Sequence, residues 1–344
     1  MADNRVLPVL PTSFTRLVNI DAPIVQAPIG RLATPRIAAA VSNAGALGML
    51  ALSWTDPQDV PPAIHELRLV TNRPFGINLI LEWPQHDRVQ ACLDAGVRIF
   101  SFFWGDPSPH LEAIHSAGGL VLVTVGSAAE ARRMVDVGVD AIVAQGWEAG
   151  GHVWGEVATM PLVPAVVDAV APVPVVAAGG IADGRGLAAA LALGASAVWM
   201  GTRFVLAAET EAHPRYRELL LAASESDTAY TRLFDGGWPD APHRTLRNST
   251  VGVWERAGRP PTGTRPGEGD VLGTNSAGAA IVRYTSSSPR ADVTGDVEAM
   301  SLFAGESVGL TRNVQPAAEI VASIVADARQ VIDRLYRTAA PRPS

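Results

Sequence analysis

The 344-residue chain is 48% hydrophobic and 18% charged, which excludes intrinsic disorder for most of its length and allows one large domain or a domain with an appendage. A formal net charge of -7 without any basic tract excludes the concentrated positive face that a nucleic-acid binder needs. The single cysteine, Cys92, excludes an internal disulfide and fits a reducing compartment, and the absence of lysine among the 27 cations excludes Schiff-base catalysis.

The opening MADNRVLPVLPTS carries acidic residues and prolines where a signal peptide needs an uninterrupted apolar run, so a soluble cytoplasmic protein is expected. Eight apolar runs follow at short, regular spacing: 24–29, 47–51, 75–80, 98–103, 120–125, 141–144, 173–178 and 197–201. Helix-like segments such as 34–43, 128–137 and 184–193 lie between them. The runs are continuously apolar, as expected of parallel strands covered on both faces. Gly96, Gly138 and Gly194 each sit where a helix ends and the next strand begins. Eight such units predict an α/β fold, a parallel (β/α)8 TIM barrel. An open doubly wound sheet is the rival, disfavoured because no block of helices interrupts the units. The uncharged stretch 187–202 is short for a membrane span and contains two glycines, so it reads as a buried helix followed by a buried strand.

Beyond Phe204 the character changes. Residues 212–224 read as helical, and 235–300 are rich in Gly, Pro, Ser, Thr and Arg, as in RAGRPPTGTRPGEGD. This predicts an irregular, loop-rich insertion or lid over the barrel. An amphipathic helix returns at 315–337. The barrel is thus expected to comprise 1–234 and 301–337, with 338–344 a disordered tail.

Three strand ends carry chemistry. GGIADGRG (179–186) and MGTRF (200–204) follow the seventh and eighth runs, where barrels of this kind bind phosphate. Gly179 and Gly180 let backbone amides approach oxygen closely, and the helix start at 181–184 favours an anion. Gly201 and Thr202 add amides and a hydroxyl. AQGWEAGGH (144–152) brings His152 to the same face after the sixth run. An imidazole there can accept a proton or hold an anion by hydrogen bonding. Asn78 reads equally as a strand-end cap and as a ligand contact. Glu148 reads as orienting a loop, Trp147 as packing or substrate wall, and Trp83, Phe102 and Trp104 as pocket lining or core. The other six histidines, His243 among them, fall in helices or polar loops without metal spacing, so no catalytic metal is expected. Cys92 reads as a small buried residue. Ser42 and Ser53 lack any GxSxG context, and no dinucleotide fingerprint is present, so any NAD(P)H must reach the site through the substrate pocket.

QGWEAGGH, VPVVAAGGIADGRGL, GASAVWMGTRF and the early QAPIG resemble the nitronate monooxygenase family, FMN-dependent (β/α)8 barrels related to the FMN-dependent enoyl reductases of fatty-acid synthesis. The resemblance covers about 21–204 and resumes at 303–321. It implies that Ala27, Pro28 and Ile29, on the first strand, lie along the flavin through backbone contacts and that Asn78 offers its amide nearby. Gln145 and Gly150 would border the ring and ribityl chain, Gly179 and Gly180 hold the phosphate, and Gly201 and Thr202 complete that clamp. His152 corresponds to the family's active-site histidine. The chain departs from many relatives at Thr124, a cofactor-lining position where they carry lysine, at Gln145, where some carry an acid, and at Glu306, where they read AGQS. The resemblance implies oxidation of alkyl nitronates to a carbonyl compound and nitrite with O2, on small-molecule substrates. Composition points to neither nucleic acid nor membrane as partner, and the oligomeric state, with a homodimer as one option, stays open. The alternative on the same scaffold is an NAD(P)H-dependent FMN reductase of quinones or enoyl thioesters; for an acyl-carrier-protein substrate Arg232, Arg244 and Arg247 read either as part of a docking patch or as ordinary solvated surface. A flavin-free barrel for a phosphate ligand stands behind both.

Overall fold

Residues 9–339 are described by the structure, a computed structural model. The opening eight residues, most of the stretch read for targeting, and positions 340–344 of the expected tail lie outside the described residues.

Helix α1 (Ser13–Val18) starts at Thr12, whose hydroxyl accepts the Thr15 amide, and it carries Phe14 and Val18 into the barrel floor. The alternation then begins with β1 (Ile24–Gln26) and α2 (Pro35–Asn43), followed by β2 (Gly48–Ala51) and α3 (Val60–Val70). Next come β3 (Phe75–Ile80) and α4 (His86–Asp94), β4 (Ile99–Phe103) and α5 (Ser108–Ser116), then β5 (Leu120–Val125) and α6 (Ala128–Asp136). After β6 (Ala141–Gln145) a two-residue strand, β7 (Gly151–His152), precedes α7 (Thr159–Val170). The alternation ends with β8 (Val175–Ala178) and α8 (Gly184–Ala192), then β9 (Ala197–Met200) and the short α9 (Thr202–Val205).

Eight of these strands form one parallel sheet in the order β1-β9-β8-β6-β5-β4-β3-β2. It closes where Leu47 donates its amide to Ile24 and accepts that of Gln26, at 2.9 and 3.0 Å. This is the (β/α)8 barrel that the eight apolar runs predict. The observed strands match those runs closely except at the first, which ends at Gln26. The Ala27 amide donates to Met200 and Pro28 has no amide to give, so Ala27–Ile29 form the loop beyond the strand.

Side chains alternate across each strand. Leu120, Leu122 and Thr124 of β5 point into the barrel, while Val121, Val123 and Val125 pack against the helices. The interior is filled from the floor upward by Phe14, Leu122, Val143 and Val176. Inward positions at the top of β3, β5 and β6 are polar: Asn78, Thr124 and Gln145.

The excursion after the eighth barrel strand is built from short pieces: α10 (Pro214–Ala222), β10 (Thr228–Thr231), β11 (His243–Leu246), α11 (Ser249–Arg256), β12 (Val271–Thr274), β13 (Ala280–Val282) and β14 (Thr294–Gly295). Two small antiparallel sheets result, β10-β11-β7 and β13-β12-β14. The strands, two to four residues long, are too short for any periodic signal. Finally α12 (Ala317–Ala339) packs between α8 and α2 and supplies the helix missing after β9. Thr338 and Ala339, read as the start of a tail, complete this helix. No helix among the described residues is long and apolar enough to cross a membrane.

Candidate active site

The C-terminal ends of the barrel strands open into a cavity of about 370 Å3. Its lining includes Ala27, Pro28, Ile29, Asn78, Thr124 and Gln145, and also Gly150, His152, Gly179, Gly180, Gly201 and Thr202. His152 and every residue expected to contact the cofactor therefore border one space. The only formal charges among the described lining residues are Arg31 and Glu148.

The floor is set by the barrel. Asn78 stands opposite Ser101 in the β3–β4 register and donates its amide to the Ser101 carbonyl and hydroxyl, at 3.1 and 3.3 Å. That cross-strand bracing, rather than a strand-end cap, fixes the side chain and leaves its carbonyl oxygen for the cavity. Gln145 is engaged differently. Its amide nitrogen donates to the His152 carbonyl at 3.0 Å and its oxygen accepts the Trp154 amide at 2.9 Å. It ties the β7 segment onto the barrel.

One end of the cavity is made of glycine backbone. Gly179 and Gly180 follow β8 with φ of +102° and +69°, the left-handed region that glycine enters without strain. A Cβ on Gly201 would stand 3.6 Å from Ala27 and Ile29, in the space that the glycine leaves open. The Thr202 hydroxyl accepts the Gly305 amide at 3.0 Å and retains its own proton for a ligand. This glycine and hydroxyl surface suits an anionic group. The α8 start does not contribute as expected: Asp183 caps it, accepting the amides of Arg185 and Gly186 at 3.0 and 3.1 Å. Gly184 serves packing, since a Cβ there would lie 2.4 Å from the Ala328 amide nitrogen in α12.

Gly150 is a glycine for a steric reason. Its Cβ would stand 2.3 Å from the Gly305 nitrogen, and a Cβ on Gly305 would stand 2.7 Å from the Glu148 carbonyl oxygen. Two backbones thus touch where the QGWEAGGH and AGES segments meet. Glu148 orients this loop: its carboxylate accepts the Thr159 amide and hydroxyl, both at 2.9 Å, at the start of α7. Glu306, the departure from AGQS, pairs with Arg244 at 3.0 Å. Arg244 is buried and also donates to the Trp147 carbonyl at 2.9 Å, so it belongs to no surface docking patch.

His152 borders the other end. It lies seven residues past the last residue of β6, in β7, paired in register with His243 of β11. Its ring stacks on Trp238 with centroids 3.9 Å apart, and Nε2 lies 3.4 Å from the Ser286 hydroxyl. Burial, then the neighbouring His243, holds this imidazole well below its ordinary range, so it is neutral near pH 7. His243 is not in a polar loop. It is fully buried, Nδ1 faces the Ala241 carbonyl at 3.0 Å, and Nε2 accepts the Phe234 amide at 3.2 Å. Its pKa is pushed down to about 4, chiefly by burial.

Trp238 and the Ser286–Ser288 run also line the cavity, without any sequence signal because they lie in the insertion, and Phe303, at the start of the segment where the resemblance resumes, lines it too. Phe103, not Phe102, faces inward; Phe102 packs outward against His110, 5.4 Å between centroids. Trp147 stacks on Tyr230 at 3.9 Å, outside the cavity. Cys92 is buried and its thiol pushed up to about 12, as a packing residue. Among the described residues no three His, Cys, Asp or Glu side chains gather as a metal-holding group.

A TIM barrel whose mouth carries a glycine and hydroxyl surface beside a histidine has the architecture of an enzyme. The model of the nitronate monooxygenase family matches residues 12–90 and 82–327, and the chain belongs to that family of oxidoreductases. It is 34% identical to a nitronate monooxygenase of Pseudomonas aeruginosa over 92% of this chain and 99% of the relative. It is 40% identical to a 5-hydroxy-7a-methyl-1-oxo-octahydro-indene-4-carboxyl-CoA dehydrogenase of Mycobacterium tuberculosis over 73% of this chain and 70% of the relative. Among solved structures, FabK from Thermotoga maritima superposes with a TM-score of 0.78 at 34% identity, covering 96% of this chain and 99% of that one.

Proposed function

We propose that the protein oxidises alkyl nitronates to a carbonyl compound and nitrite, with O2 as oxidant and FMN as cofactor. The observation that carries this reading is the neutral His152 opposite a glycine cradle in one cavity. A nitroalkane oxidase from Streptomyces ansochromogenes, 28% identical with a TM-score of 0.76 over 94% of this chain and 99% of that one, supports it.

In this reading Gly179, Gly180, Gly201 and Thr202 hold the FMN phosphate. Ala27, Pro28, Ile29, Asn78, Thr124 and Gly150 border the rest, and Gln145 holds the β7 segment beside it. A flavin bound there supplies the capacity to take electrons from the substrate and pass them to O2. The chain supplies the rest. His152, uncharged, accepts a proton from the carbon beside a nitro group, or with Nε2 protonated donates to a nitronate oxygen. The aromatic side chains around it exclude water.

The test is the visible spectrum and nitrite yield of the purified protein given a preformed alkyl nitronate. A bound flavin that releases as FMN, nitrite formation, and loss of turnover in His152→Ala are expected. A protein that cannot be reconstituted with FMN, or undiminished turnover in His152→Ala, overturns the reading.

The likeness to an indene-carboxyl-CoA dehydrogenase, whose name puts a thioester in its substrate, favours a second reading, an NAD(P)H-dependent reduction of a thioester or quinone. Rapid bleaching of the flavin by NADH or NADPH, without nitrite formation, identifies it. The burial of Arg244 weakens the version that docks a carrier protein.

A further inference from the structure

Five of the chain's eight tryptophans form one connected cluster beside this cavity, and two of them, Trp54 and Trp238, line it. Trp54, Trp83 and Trp104 follow β2, β3 and β4, Trp154 follows β7, and Trp238 comes from the insertion. They form a chain of tilted and edge-to-face contacts: Trp54–Trp83 at 5.7 Å, Trp83–Trp238 at 5.1 Å, Trp238–Trp104 at 5.0 Å and Trp104–Trp154 at 4.7 Å. Trp238, 3% exposed, carries the chain to His152, whereas Trp54 at the other side is 41% exposed and still lines the cavity. Trp104 is held at φ +65°, a conformation that a bulky residue adopts only when its surroundings impose it.

A short nitronate at His152 would use almost none of this wall. Indoles fixed by one another lose little freedom on binding and present rigid apolar faces, on which another ring gains more than a chain of equal area. We infer that the substrate carries a ring-bearing apolar body, with its reacting end at His152 and its ring on the Trp238–Trp54 wall. The assignment of the reacting end rests on the reading under Proposed function.

The test uses phenylacetate and hexanoate, unreactive carboxylates that share the planar two-oxygen head of a nitronate and have similar apolar areas. Calorimetric titration of the protein as purified measures both affinities. Phenylacetate is expected to bind about fivefold tighter than hexanoate, with the ratio falling to within about twofold in Trp54→Ala and kept in Trp54→Phe. Because Trp54 is half exposed, the circular dichroism of Trp54→Ala is expected to match the parent. Equal affinities in the parent, no binding of phenylacetate at millimolar concentration, or a ratio unchanged by Trp54→Ala overturns the inference. Ring preference without any nitronate turnover sinks the assigned reaction and leaves the aromatic site standing; turnover without ring preference does the reverse.

Discussion

His152 lies against the Trp238 ring, with the Ser286 hydroxyl at Nε2 and its backbone carbonyl tied to Gln145. Burial and then His243 disfavour its charged form, so protonation waits until the pH falls well below 6.5. Its active form as a proton acceptor is the neutral one. For a neutral nitroalkane, whose carbon still carries the proton to be removed, kcat/KM is therefore expected to stay level from about pH 7 down through the ordinary histidine range, with the acid limb well below it. A limb at about 6.5, as for an unburied imidazole, would contradict this environment. The histidine itself was legible because it follows Gly150-Gly151 at a barrel strand end. Its tuning was not. His243, which contributes to the depression, lies 91 residues further along, in a four-residue strand that carries no periodic signal.

Short elements decide how the two halves of the site meet. The barrel strands were legible because an apolar run of four to six residues survives burial on both faces, and Asn78, Thr124 and Gln145 then follow from the alternation of inward positions. Strand β7 was not, because two residues make a strand only through a distant partner, β11. The paired glycines before His152 separate the two kinds of constraint. Gly150 lies in backbone contact with Gly305, whereas Gly151 has φ +71° and open space where a Cβ would stand. Gly150→Ala should force the AGES segment away from the site, costing about 1–3 kcal/mol and weakening FMN retention. Gly151→Asn, whose side chain tolerates the left-handed region, should cost about 1 kcal/mol or less. Urea unfolding and flavin titration of the two variants check the order; equal losses would mean that the contact with Gly305 does not constrain this loop.

At the scale of the molecule, the chain leaves the barrel after β9, builds the covering sheets, and returns as α12 to close the helical ring against α8 and α2. The returning helix was legible from its amphipathic stripe, but the way the covering segment docks was not, since that is decided by side chains such as His243 and Arg244 that enter the interior from loop-like sequence. Burying imidazoles has a thermodynamic consequence. His152, His243 and His110 are all held below the ordinary histidine range, burial being the first cause in each. Below about pH 6.5 the unfolded chain takes up protons that the folded one refuses, so stability falls with acid. His243, with its pKa at about 4, contributes about 3 kcal/mol of this loss between 6.5 and 4, and His152 and His110 add to it in the same direction. Glu130, raised by burial, acts in the opposite sense. Carboxylates lowered by their partners, such as Asp106 and Asp292, lose their contribution only as the pH falls through and below their ordinary range of about 4. The unfolding free energy in urea is therefore expected to decline steadily from about pH 6.5 to 4, by at least about 3 kcal/mol, before the carboxylates take over. His243→Phe should lower stability at neutral pH and flatten that decline, because it removes the proton that only the unfolded chain accepts. A parent protein equally stable at both ends of the interval would mean that the covering segment does not hold these imidazoles dry.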